Sequence, residues 1–126
     1  MMMYKKKLGY IAQRKGLSEA ESGRQKISYE KPEMFHERYM PISEDSNSLE
    51  NYGADIDKIL VMYVREREWY GKIHEEDRAY LMDIETSEEE LEKLVSEASQ
   101  FCTNANYKVL TATPQNLFIK VVFKKI

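Results

Sequence analysis

Cysteine is almost missing from this sequence. Cys102 is the only one among 126 residues, so no internal disulfide framework is possible, and a reducing cytoplasm suits the chain's synthesis. No His lies near Cys102 in the sequence, so it reads as a small apolar residue near a helix end rather than a nucleophile. Histidine is scarce too. His36 and His74 are the only two, and neither stands at a recognised metal spacing from a second His, Cys or carboxylate, so no metal or cofactor site is expected. The longest apolar run, residues 59–64, falls far short of the roughly 20 residues a spanning helix needs, and the reading excludes a membrane role. The start, MMMYKKKLGYIAQRKG, has early lysines but few apolar residues before Arg14 and Lys15, unlike a secretory signal. There is no glycine-rich phosphate loop, internal repeat or low-complexity tract. The HEED stretch at residues 74–77 could offer carboxylates for acid/base chemistry, but no partner that would raise a pKa accompanies it, so it reads as a charged turn. No reaction centre can be assembled, and the expectation is a protein that is not an enzyme.

What is present describes one globular domain over residues 1–126. A hydrophobic content of 42% beside 33% charged residues is enough to build a core and too apolar for a disordered chain. The net charge is only −3, yet it is unevenly spread. Residues 1–31 carry eight Lys/Arg against three Glu, and residues 105–126 carry four Lys and no acid, which leaves residues 32–104 at −12. Such asymmetry fits a surface that docks a partner of opposite sign or a nucleic acid, and equally fits solvated strand edges where lysine discourages edge pairing.

The apolar period is mostly that of strands. Expected strands cover residues 6–13, 24–32, 34–42, 56–64, 79–85, 105–112 and 116–125, with RKGLSEAESG read as a loop between the first two and TPQN as the last turn. Residues 56–64 are rich in β-branched side chains and apolar on both faces, as a central strand should be. One helix interrupts the pattern, over about residues 88–102. Leu91, Leu94, Val95, Ala98 and Cys102 share a face, Ser87 and Glu90 form an S-x-x-E capping signature, and Glu88, Glu89 and Glu90 lie where the helix dipole favours anions. Six or seven strands with hairpin connections and one helix predict a mainly β chain: a small antiparallel β-barrel with the helix across one opening.

One connection is too long for this plan. About residues 43–55 form a polar segment between two good strands, where connections of about 4 to 6 residues are usual and structureless ones above roughly 12 are uncommon unless functional or disordered. An N-terminal strand pair, then FHERYMPIS, the polar acidic stretch ending in NYG, DIDKILVMY, IHEEDRAYL and finally NYKVLTATPQNLFIKVVFKKI resembles, in that order, the head closure or head-tail connector (stopper) proteins of long-tailed bacteriophages and prophages. The likeness runs from about Gln25 onward. The chain departs from the family pattern in its capped helix and in reading TATPQN at the closing hairpin.

The resemblance implies a structural virion protein at the head-tail interface, made in the bacterial host cytoplasm. It implies a homo-oligomeric ring that docks under the portal or an adaptor protein, closes the channel after DNA packaging, and receives the tail-terminator protein. Packaged DNA would pass through without specific binding. A tail terminator or another head-tail adaptor is the nearest alternative. Ser43, Glu44, Asp45, Ser46, Asn47, Ser48, Leu49, Glu50, Asn51, Tyr52 and Gly53 then stand where the family carries its channel-facing loop. The acids among them would repel DNA phosphates. A reading from another class is an OB-like single-stranded nucleic-acid-binding domain, with Arg65, Arg67, Trp69, Tyr70 and Lys72 supplying a basic groove and stacking platforms. Against it, Glu66 and Glu68 interleave with these residues.

Overall fold

The runs that alternate in the sequence become strands because each buries one face on a core or both faces between layers. The computed structural model describes residues 5–20, 23–42 and 58–126. Seven strands form an antiparallel sheet: β1 (Lys7–Ala12), β4 (Glu33–Glu37), β5 (Tyr39–Pro41), β6 (Ile59–Arg65), β7 (Arg78–Leu81), β8 (Tyr107–Gln115) and β9 (Phe118–Lys125), in the spatial order β4-β1-β7-β8-β9-β6-β5. The chain is therefore mainly β, as expected. Strand β6 lies between β9 and β5, and its residues Ile59 to Met62 are all buried, which accounts for its apolar character on both faces.

The expected closed barrel is not formed. By its ladders the sheet is open, with β4 and β5 as its edges. These edges are nevertheless consecutive in the chain, separated by Arg38 alone. One residue spans at most about 7 Å between its neighbours' Cα atoms, so the two edge strands meet end to end and the sheet is curled around its interior. The ladder stays open because residues 33–41 divide their pairing by length: β4 bonds only to β1, and the three-residue β5, ending in Pro41, bonds only to β6. Inside the curl pack Ile11, Tyr39, Met62, Trp69, Leu81, Val121 and Phe123. Phe35 stands edge-on to Trp69, with ring centroids 5.3 Å apart, and lies over the β1 backbone at Gly9, where a Cβ would come within 2.4 Å of its ring. Glycine at that position is what admits the ring.

Two apolar layers cover the outer face. One lies beneath helix α2 (Glu88–Ser96) and joins Leu8, Ala12, Tyr29, Tyr80, Leu91, Cys102 and Ala105; the other joins Ile42, Ile59, Val61 and Val122. The cap of α2 forms as expected, with the Ser87 hydroxyl accepting from the Glu90 N–H at 3.4 Å. The helix is shorter than the expected 88–102, however. It ends at Ser96, where Asn104 Nδ2 donates to the Leu94 carbonyl at 2.7 Å and so supplies a partner to one of the terminal carbonyls. The chain then turns, reaching Cys102 in a left-handed conformation, still buried against α2.

Two elements were not expected. The segment read as a loop forms β2 (Arg14–Glu19), which pairs with β3 (Gln25–Tyr29) in a separate two-stranded sheet, with a register shift between Arg14 and Gly16. Its mostly exposed, charged residues give no strand signal; cross-strand bonding, including Ser28 Oγ to the Gly16 carbonyl at 2.9 Å, holds it. One turn of helix, α1 (Glu66–Trp69), follows β6 directly. The last hairpin also turns later than expected. Thr113, Pro114 and Gln115 extend β8, and the turn is Asn116-Leu117, with Asn116 in the left-handed region that asparagine tolerates.

Candidate functional site

The segment singled out by the sequence, residues 43–53, lies outside the described residues. Its anchors are described. Ile42 is fully buried at the end of β5, Ile59 is buried at the start of β6, and Pro41 pairs with Leu60, so residues 43–57 connect two neighbouring antiparallel strands. Both anchors belong to the same small apolar layer.

The two ends of β9 differ in chemistry. At its start, the β8–β9 turn and α1 form a groove of about 510 Å³ lined by Arg65, Glu66, Arg67, Tyr70, Leu117 and Phe118. Tyr70 and Leu117 are about four-fifths exposed, at 80% and 79%. The groove is fixed by the fold: the Glu66 N–H donates to the Leu117 carbonyl at 2.9 Å, and Arg65 pairs with Phe118 in the β6–β9 ladder. Sequence reading named Arg65, Arg67 and Tyr70 of this groove, as part of a nucleic-acid surface, and missed its hairpin side, Leu117 and Phe118. The available signal was Leu117-Phe118 at the tip of a hairpin, where polar residues are usual.

At the other end of β9, Asp83 organises a tight acidic turn. Its Oδ1 accepts from the Glu85 and Thr86 N–H groups at 2.9 and 2.8 Å, and its Oδ2 accepts from the Tyr107 hydroxyl at 2.8 Å and Lys125 Nζ at 3.1 Å. Lys125 also bonds Glu85 at 2.8 Å. Burial pushes the Asp83 carboxyl up, but the bonds from Tyr107, Lys125 and the Glu85 N–H outweigh it and hold it below the usual carboxylate range. Because the folded value is the lower one, this carboxylate stabilises the fold above its unfolded pKa, about 4, and that contribution is lost as pH falls through the folded value. Tyr107→Phe should therefore cost about 1 to 2 kcal/mol in urea unfolding at neutral pH. The cost should shrink in acid; an equal cost at both pH values would show that the Tyr107–Asp83 bond is not its source. Beside this cluster the Tyr39 hydroxyl donates to the Leu8 carbonyl at 2.6 Å and accepts from the Met82 N–H at 2.9 Å, and burial pushes its pKa up to about 12.

The remaining chemistry-bearing residues fall into structural places. Asp77 of HEED is fully buried and clasps two backbone N–H groups, those of Arg14 and His74, both at 2.8 Å, so the stretch is a turn with a structural carboxylate. Cys102 is buried, and burial pushes its thiol up, opposite to a reactive thiolate. No group of three or more His, Cys, Asp or Glu residues that could hold a metal ion occurs among the described residues. Of the two aromatics among the five residues read as a nucleic-acid surface, Trp69 is buried in the core and Tyr70 alone presents its face to solvent. Among the described residues no helix is long and apolar enough to cross a membrane. Comparison of the chain with protein-family models, curated proteins and solved structures returns no match.

Proposed function

We propose that this chain is a head closure protein of a long-tailed phage or prophage, a virion component that forms a ring under the portal, closes the DNA channel and receives the tail. The observation that carries the proposal is the ordered series of sequence elements on which the resemblance rests, together with where they fall. FHERYMPIS covers most of β4 and all of β5, DIDKILVMY runs into β6, IHEEDRAYL covers the Asp77 turn and β7, and the closing stretch makes the β8–β9 hairpin. The long polar segment leaves and re-enters between adjacent strands. Both its ends are anchored by buried isoleucines, so the fold can hold the segment at a fixed place on a ring while the segment itself carries the channel function. Its acids, Glu44, Asp45 and Glu50, would keep DNA phosphates from adhering.

The test is the DNA content of phage particles assembled without this chain. Capsids and tails should form separately, with the heads empty. Joined, DNA-filled particles made in its absence would overturn the proposal. A tail-terminator role predicts instead full heads beside tails of irregular length. The single-strand-binding reading is disfavoured by the burial of Trp69. That reading predicts submicromolar binding to single-stranded DNA in an anisotropy titration, where the connector reading predicts none.

A further inference from the structure

The turn held by Asp83 presents Ile84 with its side chain wholly in solvent, at 105% of reference exposure. An exposed isoleucine in a frayed loop would mean little. This one sits in a turn fixed by four hydrogen bonds to a single carboxylate, so its position is set before any partner arrives. Around it the charge is acidic: Asp83 and Glu85 share Lys125, and Glu88, Glu89 and Glu90 follow, all exposed, in the first turn of α2. The groove at the far end of β9 is its complement, an apolar floor of Tyr70, Leu117 and Phe118 with Arg65 and Arg67 exposed at the rim, Glu66 between them and Glu68 just outside the lining.

We infer that the Ile84 turn of one copy docks into the Tyr70/Leu117/Phe118 groove of a second copy. The two surfaces cannot meet within one chain. The groove includes Phe118 and the turn is bonded to Lys125, seven residues along β9, or roughly 23 Å away at the rise of an extended strand. A contact between unlike surfaces at opposite ends of a molecule is heterologous, and such contacts repeat into a ring when the rotation closes and into a filament when it does not. The rim arginines face the acids of the neighbouring turn, which sets the orientation, and the isoleucine supplies the apolar anchor. The inference rests on the self-assembling ring of the proposed function and names the surfaces that build it.

Disulfide trapping tests it. Ile84→Cys and Leu117→Cys are prepared as separate proteins, mixed and oxidised; both positions are exposed, so neither substitution empties a core site. A crosslinked dimer should form in the mixture and in neither protein alone, and the double variant should give a ladder of multimers. The unsubstituted chain, whose only thiol is the buried Cys102, is the blank. Reversing both rim charges, Arg65→Glu with Arg67→Glu, should cut the yield of trapped dimer severalfold, as should high salt. Dimers of Ile84→Cys with itself at equal yield would overturn the inference in favour of a symmetric contact. Absence of the mixed crosslink would overturn it as well. Rings seen by negative-stain microscopy without that crosslink would leave ring assembly standing on another interface, while empty heads in the absence of the chain are judged independently of either result.

Discussion

Asp77→Ala should lower the free energy of unfolding by about 2 to 5 kcal/mol, although the substitution removes only a few atoms. The carboxylate is fully buried and serves two donors, the Arg14 N–H where β2 begins and the His74 N–H in the turn before β7. An N–H left without a partner away from water costs about 1 to 3 kcal/mol, and alanine leaves both of these half-buried bonds unmade. The same residue's carbonyl accepts from the Val109 N–H at 2.8 Å, so the clasp joins β2, the turn and β8 at one point. Asp77→Asn supplies the control. An amide has one acceptor oxygen and turns a donor toward the second N–H, so its cost should be a substantial fraction of alanine's. Urea midpoints matching the unsubstituted protein for both variants would show that water replaces the carboxylate without loss.

Leu91→Ala should cost about 2 to 5 kcal/mol, and Leu94→Ala clearly less. The two leucines share the apolar face of α2 in the sequence, but their environments differ. Leu91 is wholly buried among Leu8, Tyr80 and Cys102, whereas Leu94 is only partly covered. Truncating Leu91 therefore loses its transfer energy and opens a cavity between helix and sheet, while the Leu94 site has solvent on one side. Equal midpoints for Leu91→Ala and the unsubstituted protein would mean that α2 is not part of the core.

The central strands were legible as short apolar runs, because β1, β6, β7 and β9 bury residues on both faces of the sheet. The capped start of α2 was legible for a local reason, Ser87 bonding the N–H three residues on. Features set by tertiary partners were not. Strand β2 has no apolar face of its own and exists through pairing with β3. The end of α2 is set by Asn104, eight residues beyond it. The open ladder depends on how residues 33–41 share their pairing between β1 and β6, which no local pattern encodes. The same holds for the surfaces. Leu117 and Ile84 look unremarkable in the sequence, and only the fold places Leu117 in one groove with Tyr70 and Ile84 at the far end of β9.

The proposed role of the polar segment is tested most directly by replacing residues 44–51 with a short Gly/Ser linker in a phage whose heads carry this chain. The fold should survive, because its anchors Ile42 and Ile59 are untouched and loop-closure entropy varies slowly with length. The measurement is the DNA retained by purified heads. Heads carrying the folded variant should lose their DNA or fail to join tails; a yield of filled, infectious particles equal to that of the unsubstituted phage would contradict the account.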